Sequence, residues 1–139
     1  MHTIDLLSRY NRHDDLIQQG AILELGEGAS AHIARMHDSN PQYKKVTEQL
    51  ARQRQYELDN LKGQKKNTAY AEIAEEAFAQ VCITKLTNIR IGGDVIEADA
   101  IGIARIRSET PEFFQKMMQF AMDDSNYVGS FNEETSVKN

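Results

Sequence analysis

Tryptophan is absent from this 139-residue chain, and cysteine and proline nearly so, with one Cys and two Pro. A lone thiol, Cys82, closes no internal disulfide and supplies no multi-thiolate metal site, which excludes a disulfide scaffold and a thiolate zinc module. No stretch approaches the roughly 20 apolar residues that cross a bilayer. The opening residues, Met1-His2-Thr3-Ile4-Asp5-Leu6-Leu7, lack the basic start and apolar run of a secretory leader. The expectation is a cytoplasmic protein with no membrane partner.

What is present is the balance of one soluble domain, 40% hydrophobic and 27% charged. At this length folding buries roughly two-thirds of the surface of the unfolded chain, enough to hold a core without staples. The expected organisation is a single domain over 1–139, with an N-terminal arm at 1–19, a folded core at 20–126 and a partly loose tail at 127–139. The formal net charge of −5 hides blocks of opposite sign. Residues 1–40 carry 3 basic and 6 acidic side chains, 41–66 carry 7 and 3, and 67–139 carry 6 and 12. Only the middle block is basic.

Local signals predict an α+β fold, mainly α-helical with two small β-hairpins. Ala21–Leu25 and Ala31–Met36 flank the turn-rich Gly26-Glu27-Gly28-Ala29-Ser30 and read as the first hairpin. Asn40 before Pro41 reads as an N-cap followed by a proline at the first helical position, opening a long helix. Its stripe is Tyr43, Val46, Leu50, Leu58 and Leu61, and Lys62–Asn67 is expected to end it. From Thr68 to Leu86 runs the strongest helical pattern of the chain, with Tyr70, Ile73, Ala77, Phe78 and Val81 at steps of three and four. Asn88–Glu97, alternating around Gly92-Gly93-Asp94, reads as the second hairpin. Asp99 is placed to cap a short helix that tolerates Gly102, and Thr110-Pro111-Glu112 opens a last helix.

No constellation of catalytic type emerges, and neither a metal nor a cofactor is expected. Cys82 lies among apolar helix positions. His32 and His37 lack helical ligand spacing, and His13-Asp14-Asp15 are three neighbours that do not converge. Gly26-Glu27-Gly28 and Gly92-Gly93 lack the spacing of phosphate loops. The basic block around Lys44, Lys45, Arg52 and Arg54 raises the question of nucleic acid. The acids Glu48, Glu57 and Asp59 interrupt it, and a solvated helix that pairs internally with the acidic C-terminal half is the favoured reading.

The last helix gathers Phe113, Phe114, Met117, Met118, Phe120 and Met122 within ten residues. Flexible thioethers with aromatic anchors suit a surface that adapts to a partner. The stripe reads as 113, 117 and 120 facing the core, with 114, 118 and 122 left for a client or a second copy. Tyr127 and Phe131 form an aromatic lip after it, and Phe113, Phe114, Met117, Met118, Met122, Tyr127 and Phe131 together make up the expected client or self-association surface. Opposite charge blocks further predict salt-sensitive self-association through Lys44, Lys45, Arg52 and Arg54.

Taken in order, these segments resemble a known family. The words are His32-Ile33-Ala34-Arg35-Met36, Asn40-Pro41 before Tyr43, the Ala/Glu-rich helix leading to Leu86-Thr87-Asn88-Ile89, and Gly92-Gly93-Asp94-Val95-Ile96. Thr110-Pro111-Glu112-Phe113-Phe114 and Phe120-Ala121-Met122-Asp123-Asp124-Ser125-Asn126-Tyr127 follow, with a final Lys138-Asn139. Over most of 20–139 the chain is similar to the tail assembly chaperones of long-tailed bacteriophages. That resemblance implies a non-enzymatic assembly factor in the host bacterial cytoplasm that keeps the tape-measure protein soluble and recruits tail-tube subunits. It implies absence from the finished virion and, in many members, a longer product made by frameshifting near the end of the short frame, with which Lys138-Asn139 is compatible. Such proteins often carry Trp just before the segment matching Asn88-Ile89, and this chain has none. The rival readings are a structural virion component, such as a small head–tail or tail protein, and a small nucleic-acid-binding regulator.

Overall fold

A computed structural model of the chain describes residues 14–128 together with Thr3. In chain order the elements are α1 (Asp14–Gln19), β1 (Ala21–Gly26), β2 (Ala29–Ile33), α2 (Pro41–Gln53), α3 (Gln55–Asn60) and α4 (Gly63–Val81). They continue with β3 (Ile83–Thr87), β4 (Arg90–Ile91), β5 (Asp94–Val95), α5 (Ala100–Glu109), α6 (Pro111–Met122) and a short 3-10 turn at Asp124–Asn126. The fold is α+β and mainly helical, with two small antiparallel sheets.

The first hairpin forms as its sequence predicts, with Ala21 opposite Ile33 and Leu23 opposite Ala31. Its two-residue turn places both Glu27 (φ 55°) and Gly28 (φ 80°) in the left-handed region, the backbone that matches the twist of the flanking strands. The helix expected over 68–86 is corrected at its end. It stops at Val81, and Ile83–Thr87 becomes β3, which pairs antiparallel with β2 to make the sheet order β1-β2-β3. Ile33 faces Ile83 whereas His32 faces Lys85, so a bulge leaves Thr84 without an opposite residue. The extra residue puts both Ile83 and Leu86 into the core, three positions apart, a spacing that imitates a helix.

The helix opened by Asn40-Pro41 is shorter than expected. Asn40 is fully buried, accepts from the Gln42 amide at 3.2 Å and donates to the Arg35 carbonyl at 3.0 Å. Helix α2 ends at Gln53, and Arg54 turns the chain into α3. The stretch from Lys62 to Asn67, expected as a stop, instead begins α4: Gly63 takes φ 58° at the corner and regular helix follows at once. Helices α2 and α4 then pack as an antiparallel arm. Leu58, Ala69 and Ile73, joined by Leu50, Ala51 and Leu61, give it a small apolar cluster of its own. The main core lies between the three-stranded sheet and α4, α5 and α6, around Ile33, Phe78, Ile106, Phe114 and Met117.

The second hairpin is β4–β5, with Ile91 opposite Asp94 across Gly92-Gly93. Asp99 caps α5 as predicted, accepting from the Gly102 amide at 2.8 Å. Gly102 has a packing reason: a Cβ on it would overlap the Glu97 carbonyl oxygen. The packed body extends past the expected bounds of 20–126. Ile17 of α1, placed within the arm at 1–19, and Tyr127, placed in the loose tail, are both fully buried and share a cluster with Ala21.

Candidate functional site

Helix α6 starts at Pro111 without a side-chain cap, because the Thr110 hydroxyl donates back to the Ile106 carbonyl at 3.0 Å. That bond closes the last turn of α5 at the α5–α6 corner. The expected division of its apolar residues is corrected here. Phe114, Met117, Met118 and Ala121 are buried, while Phe113 and Phe120 are half-buried. Phe114 meets Phe78 of α4 edge-to-face at 5.4 Å, and the Arg107 guanidinium lies 5.2 Å from the Phe114 ring centre. The two apolar stripes are therefore both used within one chain, because α6 lies in a corner formed by the sheet and helices α4 and α5. Of the surface residues expected on α6, Met122 stands in solvent and Phe113 lines a recess.

Tyr127 is not a surface lip. Its ring packs edge-to-face on Phe120 at 6.3 Å, and its hydroxyl donates to the Ile33 carbonyl at 2.7 Å. Burial raises its pKa well above the ordinary value of 10.0. Nearby, the Arg35 guanidinium reaches Ser39 Oγ at 3.0 Å and Asp124 Oδ1 at 2.8 Å, pinning the 3-10 turn to the loop before α2. Phe131 lies outside the described residues.

The recess that Phe113 lines is an apolar hollow of about 340 Å³, walled by Leu25, Ile89, Ile91 and Ile106. Three corners shape it: the tip of the first hairpin, the β3–β4 connection and the α5–α6 turn. Asn88, at φ 56°, holds the first two together by donating from Nδ2 to the Gly28 carbonyl at 2.9 Å. No sequence pattern marks this hollow, since its walls come from segments far apart in the chain.

A larger cleft of about 660 Å³ runs between α4 and α5 over Ala79, Ile83, Ile103 and Ala104, with Glu76, Asp99 and Arg107 on its rim. Arg107 bridges Glu75 and Glu76, both at 2.9 Å. Its hydrogen bond, followed by that of Gln80, lowers the Glu76 pKa below 4.5.

Of the four basic residues predicted for self-association, Arg54 is engaged inside the chain, with Glu57 at 2.8 Å and Glu72 at 3.2 Å. Lys44, Lys45 and Arg52 are exposed and make no ion pair among the described residues. Internal charge pairing of the basic block is thus local to the helical arm.

Burial pushes the Cys82 thiol up to about 12, far from a reactive thiolate. Tyr43 is also raised to about 12, by burial first and then by the charges of Cys82 and Asp38. His37 Nδ1 accepts from the Ser39 amide at 2.9 Å, a local turn. His13 lies outside the described residues, and no group of three metal-ligating side chains occurs among the described residues. No helix among them is long and apolar enough to cross a membrane. Comparison with protein-family models, curated proteins and solved structures found no match to the chain.

Proposed function

We propose that the chain is a non-enzymatic tail assembly chaperone of a long-tailed bacteriophage. In this reading it works in the host bacterial cytoplasm and binds the tape-measure protein, tail-tube subunits, or both, while the tail is built. The observation that carries the reading is the ordered run of short sequence words from His32 to Tyr127 that resembles that family. The hollow around Phe113 suits the role. A factor that holds an amphipathic helical client needs an open apolar recess for side chains at i, i+3 and i+4. Leu25, Ile89, Ile91, Ile106 and Phe113 offer one, and they take the place of the α6 stripe as the client surface.

Co-expression with the tape-measure protein encoded beside it tests the proposal. The expected result is a soluble client that co-purifies with the chain and is lost when Phe113→Asp polarises the hollow, while Met122→Asp leaves binding intact. A client that stays insoluble overturns the proposal. So does a fixed number of copies of this chain in purified virions, the result expected of a structural tail component.

A further inference from the structure

Charge on the helical arm is only partly neutralised from within. Residues 41–66 hold seven basic and three acidic side chains. One of the seven, Arg54, takes up two acids, Glu57 and Glu72. Lys44, Lys45, Arg52, Lys62, Lys65 and Lys66 are left without an ion pair among the described residues, beside only Glu48 and Asp59. The acidic C-terminal half reaches this block through Glu72 alone among the described residues. A local excess of exposed cations attracts a polyanion even on a chain of negative net charge.

The cations are ordered along the arm. Helical hydrogen bonds pass through the α2–α3 junction, from the Arg54 amide to the Leu50 carbonyl at 3.1 Å and from the Leu58 amide to the Arg54 carbonyl at 2.9 Å. Steps of four, three and four residues therefore carry one stripe from Lys45 through Gln49 and Arg52 to Tyr56, all of them exposed. It holds two cations, an amide and an aromatic ring, and no acid. Glu48 lies on the flank, lining a separate hollow with Thr47, Ala51 and Tyr70, and Asp59 accepts from Gln55 Nε2 at 2.7 Å. Beyond Tyr56 the corner adds Lys62 and Lys65, both exposed, and no acidic residue occupies the first turn of α4. From residue 45 to residue 56 the stripe runs about 16 Å.

Tyr56 decides the class of polyanion. It is 86% exposed, more than any other large apolar side chain among those described. An aromatic ring standing in water among cations suits an unpaired base, which stacks on the ring while Lys and Arg hold the neighbouring phosphates and Gln49 adds a neutral hydrogen bond. A duplex keeps its bases stacked on one another. Acidic polypeptides and lipid headgroups bring charge without a base, so each of these would leave the tyrosine unused.

We infer that the arm binds single-stranded nucleic acid, with phosphates on Lys45, Arg52, Lys62 and Lys65 and a base on Tyr56. RNA and DNA share this chemistry. The hollow around Phe113 has no residue in common with the stripe, so the two surfaces are tested apart.

Fluorescence anisotropy of labelled oligo(U), oligo(dT) and a DNA duplex, each titrated with the full chain, tests this. Both single strands bind, and the duplex binds at least about tenfold more weakly. Affinity falls with salt at about 0.7 per phosphate contact on a log–log plot, so four contacts give a slope near about −3. Lys45→Gln/Arg52→Gln makes that slope shallower by about 1.4. Tyr56→Ala weakens binding about tenfold at unchanged slope, and Tyr56→Phe restores it, because stacking needs the ring and not the hydroxyl. Either order of oligo(U) and oligo(dT) supports the inference and names the preferred sugar. These positions are all exposed, and an unchanged Tm verifies that each variant is folded.

No binding of either single strand at about 50 mM salt overturns the inference. So does equal binding of the duplex, of polyglutamate or of phosphatidylserine vesicles, which makes the arm a general charged surface. A Tyr56→Ala variant that binds both strands like the wild type overturns it as well.

Discussion

The Tyr127 hydroxyl donates to the Ile33 carbonyl across 2.7 Å, joining residues 94 apart in the chain. Tyr127→Phe keeps the ring and removes the donor, leaving a buried carbonyl short of a partner. The expected cost is about 1–2 kcal/mol, read as a fall in Tm of about 3–8 °C. An unchanged Tm shows that water or another donor replaces the hydroxyl.

Gly102→Ala separates packing from helix propensity. Propensity alone favours Ala by about 1 kcal/mol at an interior helix position. Here the added Cβ overlaps the backbone oxygen of Glu97, which has no flexible side-chain end to yield. Overpacking of this kind costs roughly 1–3 kcal/mol or more, so the net effect is destabilising. A variant with higher Tm refutes the close approach.

Burial on α6 predicts a sharp contrast between two substitutions to aspartate. Phe114→Asp places a charge beside Phe78 in the main core and abolishes cooperative unfolding, and even Phe114→Ala costs about 3–5 kcal/mol. Met122→Asp, at a side chain already in solvent, stays within about 0.5 kcal/mol of the wild type. Equal effects at the two positions contradict the orientation of the helix.

The pH dependence of stability has two arms. Glu57, Glu76 and Glu109 have pKa values lowered below 4.5, mainly by hydrogen bonds from Arg54, Arg107 and Arg105 respectively. Each binds fewer protons folded than unfolded, so its stabilisation is complete above about pH 4.5 and is lost as pH falls through the folded value. In the alkaline range the sign reverses. Cys82 rises from 9.0 to about 12 and Tyr43 from 10.0 to about 12, so both keep their protons when folded after the unfolded chain has lost them. Stability therefore declines as pH climbs from about 9 toward 12. Urea midpoints across pH measure both arms; Arg107→Gln removes the Glu76 share of the acid one and Cys82→Ala the Cys82 share of the alkaline one.

Three helix starts, those of α2, α5 and α6, were the most legible features of the chain. Asn40-Pro41 and Asp99 act through hydrogen bonds made within two or three residues, so local sequence decides them. Thr110-Pro111 marks the right position, although the Thr110 hydroxyl turns back to Ile106 rather than forward. Long-range pairing was not legible. Ile83–Thr87 is a strand because β2 has an open edge to fill, and its bulge spaces Ile83 and Leu86 as a helix would. The α6 stripe misled for a related reason: one helix between a sheet and two helices buries more than one face, and sequence shows apolar residues without counting their neighbours. The hollow and the cleft are assembled from distant segments and have no signature along the chain.

The cluster of Ile17, Ala21 and Tyr127 also sets an order of events. Helix α1 leaves the ribosome early, yet nearly all of the described chain must follow before Tyr127 arrives to cover Ile17. At roughly 5–20 residues per second that wait is on the order of 10 s. During it the Ile33 carbonyl lacks its donor and α1 lacks its cover. Closure by Tyr127 therefore comes after both strands of the first hairpin have been made, and a chain halted between them lacks the cover of its α1 end.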